Sequence, residues 1–124
     1  MAIRVSCFLK KRPDMTLEQF SEHWNGHGNL FTSQKAMKDN VVRYNQFHLA
    51  PQHSETLAAA GFPIAPYDGV ADVYVDKIED VFAIFADEDV QKNVFADEVN
   101  FLDKSQIQAI LVGEDNVKWE KPRA

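Results

Sequence analysis

The chain has 124 residues, 45% of them apolar and 26% charged, the composition of one ordinary globular domain with room for a single core. Its net charge of −6, with no run of Lys or Arg, argues against nucleic acid or an anionic membrane surface as partner, since both demand a concentrated basic footprint. One cysteine, Cys7, sits in an apolar run, cannot form an internal disulfide, and reads as a buried thiol in a reducing compartment. The opening residues are too few and too polar for a secretory signal, and no apolar stretch approaches membrane-spanning length. The expectation is a soluble, cytoplasmic protein.

Residues 2–10 alternate, with Ile3, Val5, Cys7 and Leu9 against Arg4, Ser6 and Lys10, which predicts a first strand. Thr16 with Gln19 three residues on is a capping-box pattern, and Leu17, Phe20 and Trp24 continue at helical spacing. Gly26 and Gly28 predict an interruption of this helix, with resumption over 30–38. A second strand follows at 41–49, then a long connection with a short helix at 54–60 stopped by Gly61 and Pro63. Residues 67–75 read as strand three, 78–85 as helix, 87–103 as broken helix and 106–113 as strand four. The domain is placed at 1–115, and 116–124 is a polar tail containing Trp119.

The order β-α-β-β-α-β is the split βαβ arrangement of the ferredoxin-like α+β fold, a four-stranded antiparallel sheet with helices on one face. The uncovered face requires a cover, and a second copy supplies it, giving a homodimer built sheet to sheet. Odd-numbered residues carry the apolar side of strands one, three and four: Ile3 to Leu9, then Ala71, Val73 and Val75, then Ile107, Ala109 and Leu111. With these on the helices, Val42, Tyr44, Gln46 and His48 share the open face with Asp68, Val70, Asp72 and Tyr74. Arg43 and Asn45 then fall on the helix side. A register with His48 opposite Asp68 sets Gln46 against Val70 and Tyr44 against Asp72, and joins imidazole to carboxylate. A slip of one residue separates the pair, and a purely structural hydrogen bond is the alternative to a functional one.

His23 and His27 lie four apart, as in helical zinc sites, but no Glu follows His23 and no cysteine cluster accompanies them, so no metal is expected. His27, flanked by glycines, is the better ligand-facing residue, with helix capping as its alternative. Trp24, Phe31, Phe62 and Phe85 offer a flat aromatic wall, or ordinary core. Asp87, Glu88, Asp89, Asp97, Glu98 and Asp103 read as a solvated helix surface. Phosphate loop, nucleophile elbow, dinucleotide fingerprint and haem-attachment motif are all missing, so no organic cofactor is expected.

The stretch KRPDMTLEQFSEHWNGHG at 11–28 resembles the EthD domain, whose members open with a strand, a K-R/K-P turn and a T/S-x-E-x-F-x-x-x-W helix closed by a histidine. Lys11, Arg12, Pro13, Thr16, Glu18, Phe20, Trp24 and Gly28 carry the match. VVRYNQFH, PYDGVADVYV and FADEVNFLDKSQ further resemble the fungal branch, which includes decarboxylases and related lyases of aromatic polyketide pathways. The resemblance spans residues 3–113 and implies a dimeric α/β barrel doing small-molecule chemistry without metal or nucleotide. It implies His27 as the helix-end histidine, and Tyr44, Gln46, His48 and Asp68 as the polar positions of strands two and three.

The combined expectation is a cofactor-independent lyase, a decarboxylase of an aromatic or polyketide carboxylic acid. His48 oriented by Asp68 is its acid–base pair and His27 assists. Tyr44, Gln46, Trp24, Phe31 and Tyr74 are expected to contact substrate. Dehydration, cyclisation or cofactor-free oxygenation of a polyketide, and non-catalytic binding of a small molecule, are the alternatives.

Overall fold

The alternation at the start of the chain forms β1 (Ile3–Leu9) in the computed structural model, which describes residues 1–106 and 109–123. Thr16 then caps α1 (Leu17–Thr32). Its hydroxyl accepts from the Gln19 backbone at 3.1 Å, and the Gln19 side chain accepts from the Thr16 N–H at 2.9 Å. This reciprocal pair satisfies two donors that a helix start leaves open. α1 runs unbroken through Gly26 and Gly28, where an interruption was expected. A glycine costs a helix interior only about 1 kcal/mol relative to alanine. Burial of Phe20, Trp24, His27 and Phe31 along one face outweighs that cost. The break comes at Ser33 and Gln34, ahead of a short α2 (Lys35–Asn40).

The chain continues through β2 (Arg43–His48), α3 (Pro51–Ala59), β3 (Gly69–Val75), α4 (Glu79–Ala86), α5 (Glu88–Asn93), a 3₁₀ turn (Phe95–Asn100) and β4 (Ala109–Gly113). α3 begins earlier than its spacing predicts because Pro51 fits the first helical turn, where no N–H is needed. The expected position of Ile107 on β4 lies outside the described residues. The sheet order is β2-β3-β1-β4, with every neighbouring pair antiparallel, and this is the ferredoxin-like α+β fold. Leu9, Phe20, Trp24, Phe101 and Leu102 form one half of the core, with Cys7 and Ala71 packed against them. Phe31, Ile84, Val90 and Val94 form the other, against Tyr44 and Val73. α1, α2, α4 and α5 thus cover a single face. Among the described residues no helix is long and apolar enough to cross a membrane.

The register departs from expectation in two strands. His48 pairs with Gly69, Gln46 with Ala71 and Tyr44 with Val73, one residue away from the pairing that would join His48 to Asp68. Because side chains alternate, this slip turns Tyr44, Gln46 and His48 to the helix face and Arg43, Asn45 and Phe47 to the open one. β4 is shifted likewise: Ile110 and Val112 pair with Cys7 and Val5 on the helix side, while Ala109 and Leu111 face outward with Phe8 and Ser6. Two contacts explain the β2 register. Asn45 opposite Asp72 joins the ring of donors around that buried carboxylate, with Ser6 and Arg4. Burial pushes the Asp72 carboxyl up, yet the bonds from Ser6, Arg4 and Asn45 outweigh it and hold the group below its ordinary value.

The second contact is at Gly69, beneath the Trp24 ring. A Cβ there would lie 2.6 Å from the indole, so only glycine lets α1 seat this closely on β3. Gly69→Ala is expected to destabilise the fold by about 2 kcal/mol through overpacking. Urea unfolding checks this, and an unchanged midpoint would show that the ring has room to move.

Candidate functional site

The helix layer does not close fully on the sheet. Between α1, α4, the 3₁₀ turn and the helix face of the strands lies a cavity of ≈ 360 Å³. Its walls are almost wholly apolar, with Val5, Leu9, Ala71 and Val73 below and Trp24, Phe31, Phe95 and Phe101 around and above. Phe82, Phe85 and Ile110, all well exposed, form part of the lining. Four polar side chains reach the cavity: Cys7, His27, Tyr44 and Glu98. A largely apolar hollow of this size with few polar groups fits a small, largely flat molecule.

His27 owes its place to the continuity of α1, which sets it one turn beyond His23 on the same face. Both imidazoles converge on Asp97 of the 3₁₀ turn, His27 Nδ1 at 2.9 Å and His23 Nε2 at 3.1 Å, while the Asn100 amide donates at 2.8 Å. Burial pushes the Asp97 carboxyl up, but bonds from Asn100, His27 and His23 prevail and hold it below its ordinary value. An ionised carboxylate only accepts, so each of these imidazole nitrogens donates to it. His27 Nδ1 is therefore committed, and Nε2 has no hydrogen-bond partner among the described residues. A buried imidazole with one nitrogen fixed and the other unpaired has that second nitrogen left to meet a ligand.

On the sheet side, Gln46 organises the wall. Its amide donates to the Trp24 carbonyl at 2.8 Å and to the Tyr44 hydroxyl at 3.1 Å, and its carbonyl accepts from His48 Nε2 at 2.8 Å. Gly28 makes this reach possible, since a Cβ there would collide with the Gln46 amide. Burial pushes the Tyr44 phenol up, so it stays neutral, and with Gln46 donating to its oxygen the Tyr44 proton is left for a ligand. The His48 ring packs at a tilt against Trp24, with centroids 4.5 Å apart, and does not line the cavity; burial pushes its pKa down.

Of the residues expected at the site, His27, Tyr44, Trp24 and Phe31 are brought together, and Gln46 backs them. The His48–Asp68 pair does not form. Asp68 instead accepts from the Lys11 backbone at 2.8 Å and ties the start of β3 to the exit of β1. Tyr74 lies on the open face, where it donates to Asp115 at 2.6 Å, because alternation along β3 puts it opposite to Val73 and Val75. Phe62 is 59% exposed on the long connection and lines no part of the cavity. Asp97, expected on a solvated surface, is the residue the sequence reading missed, and Glu98 beside it lines the cavity. Burial, with Glu98 and Asp72 nearby, pushes the Cys7 thiol up. Among the described residues no group of three His, Cys, Asp or Glu side chains is arranged to hold a metal ion.

Fold and cavity together define a ferredoxin-like domain with a ligand-sized hollow under its helix layer. The EthD domain family matches residues 12–105, and the chain belongs to that family. Solved structures repeat the fold. A dimeric protein of unknown function and ferredoxin-like fold from Bacteroides fragilis superposes with a TM-score of 0.63 at 10% identity, over 92% of this chain and 96% of that one. An EthD-family protein from Bacillus halodurans gives 0.60 at 13% identity, over 94% and 100%. A DABB-family protein with a ferredoxin-like fold from Mesorhizobium loti gives 0.60 at 10% identity, over 94% and 98%. At such identities the likeness concerns the fold alone. No curated protein matches the sequence.

The geometry at Asp97 has a consequence for stability. Its folded carboxyl titrates below its unfolded value, so its contribution is full above the ordinary carboxylate range and lost as pH falls through the folded value. Asp97→Asn is expected to cost roughly 1–2 kcal/mol at neutral pH, the worth of hydrogen bonds to a charged group. The difference from wild type should shrink in strong acid, which urea titrations across pH would follow. A difference independent of pH would refute the ionised role of Asp97.

Proposed function

We propose that this chain is a cofactor-independent lyase that removes carbon dioxide from an aromatic or polyketide carboxylic acid, with His27 as acid–base residue and Asp97 positioning it. One observation carries the reading: a buried imidazole, tied through Nδ1 to a carboxylate and unpaired at Nε2, stands in the wall of a largely apolar cavity that Tyr44, Cys7 and Glu98 also reach. Trp24, Phe31 and Phe101 favour a flat ring system. In such surroundings a substrate carboxylate is poorly solvated, whereas the delocalised charge of the transition state suffers less. As the bond to the carboxyl carbon breaks, its electron pair passes into the adjacent keto or ring system and carbon dioxide leaves. Tyr44 donates to the developing enolate oxygen. Protonated His27 delivers its Nε2 proton to the carbon, and solvent replaces that proton.

The likeness of segments 41–48, 66–75 and 95–106 to the fungal polyketide branch supports the substrate class. The dimeric relatives support a homodimer, and we assign to it the open sheet face, where Phe47 is 56% and Leu111 65% exposed.

Incubation with an anthrone carboxylic acid, followed by product mass, tests the reaction. Loss of carbon dioxide is expected, whereas loss of water or gain of oxygen would move the reaction to another class. Cys7 in the cavity wall reports occupancy independently, because a bound ligand should slow its alkylation. Saturable protection without any product would make the chain a carrier.

His27→Gln should lower kcat about 10²-fold or more, and Tyr44→Phe about tenfold or more. Asp68→Asn, outside the cavity, should leave turnover essentially at the wild-type level. Steady-state kinetics decide between these roles, and a His27→Gln variant as active as wild type would overturn the assignment.

A further inference from the structure

The segment after β4 takes no part in the core or the cavity. Asp115 anchors its base to the open sheet face, accepting from Arg4 at 3.0 Å and from the Tyr74 hydroxyl at 2.6 Å. Beyond the anchor, residues 116–123 run without secondary structure, and Val117 is 73% and Trp119 78% exposed. Indole surface held in water from a fixed base is a cost the single chain does not recover. Beside the anchor, the open face carries a second hollow of ≈ 360 Å³, lined by Phe8, Phe47, Val70 and Leu111, with Glu114 and Asp115 at its rim. The four residues from Asp115 to Trp119 span about 13 Å when extended, enough to carry the indole across to a facing sheet.

We infer that, in the sheet-to-sheet homodimer proposed above, the arm 116–123 of each chain crosses onto the open face of the other, where Trp119 fills the hollow between Phe47 and Leu111. The inference rests on that dimer, whose two-fold symmetry makes the exchange reciprocal. Charge fits the partner. Lys118, Lys121 and Arg123 outnumber Glu120 in the arm, whereas the whole chain is net −6 and the rim of the hollow is acidic. Arg4 on the same rim is already committed to Asp72 and Asp115, which leaves Glu114 to meet the basic arm.

Sedimentation of the full chain over a concentration series, paired with acrylamide quenching, tests the exchange. Trp119 is read as the difference between wild type and W119F, so that buried Trp24 cancels. As dimer forms, the Trp119 quenching constant should fall several-fold and its emission move to shorter wavelength. W119A and F47D should each weaken the dimer about tenfold or more. A chain monomeric at every concentration overturns the dimer and the exchange together. A dimer whose Trp119 quenches like a free peptide overturns the exchange alone, and so does protection already present in the monomer, which would place the arm on its own chain.

Discussion

The approach of α1 to the sheet depends on the seat of Trp24 over Gly69. The indole has no room beside a Cβ at that position, so the absence of one side chain fixes the depth of the helix. At that depth the Trp24 carbonyl meets the Gln46 amide, a bond that in turn needs the bare backbone of Gly28. Two glycines on different elements thus set one distance. His27 then reaches the cavity wall as a matter of helical geometry, one turn past His23 and on the same side as Phe31.

Asp97 performs the complementary task from the 3₁₀ turn behind His27. It belongs to the 3₁₀ turn, where three donors converge on it, two from α1 and one from Asn100. Their combined pull keeps the carboxyl ionised despite partial burial. The turn is therefore pinned to α1 by charge as well as by the packing of Phe101 against Phe20. This double attachment keeps the cavity open between rigid elements instead of letting the helix layer collapse onto the sheet.

Local signals in the sequence were reliable where one physical requirement dominated. The capping box at Thr16 and the alternation of β1 each answer to a single demand, and both appear as read. The element order also sufficed for the fold. Register was another matter. β2 carries polar side chains on both faces, because Tyr44 and Gln46 serve the cavity wall while Arg43 and Asn45 serve the open face, so alternation marks neither side. β4 fails in the opposite way, being apolar on both. Asp97 was hidden in an acidic run, and its partners lie 70 and 74 residues away. A pair of histidines on one helical face, with no metal ligands to match, was the one sign that a shared carboxylate would be found.

β1 is the inner strand that pairs with both β3 and β4, and its seven residues work in two directions. Val5, Cys7 and Leu9 are cavity wall, while Arg4, Ser6 and Phe8 belong to the outward surface and its ion network. A strand is one backbone thick, so no displacement of β1 can be confined to one side of the sheet. Filling the cavity and covering the open face therefore act on the same mechanical element. Any coupling between the two faces that runs through that strand is reciprocal, the same in free energy whichever side is filled first.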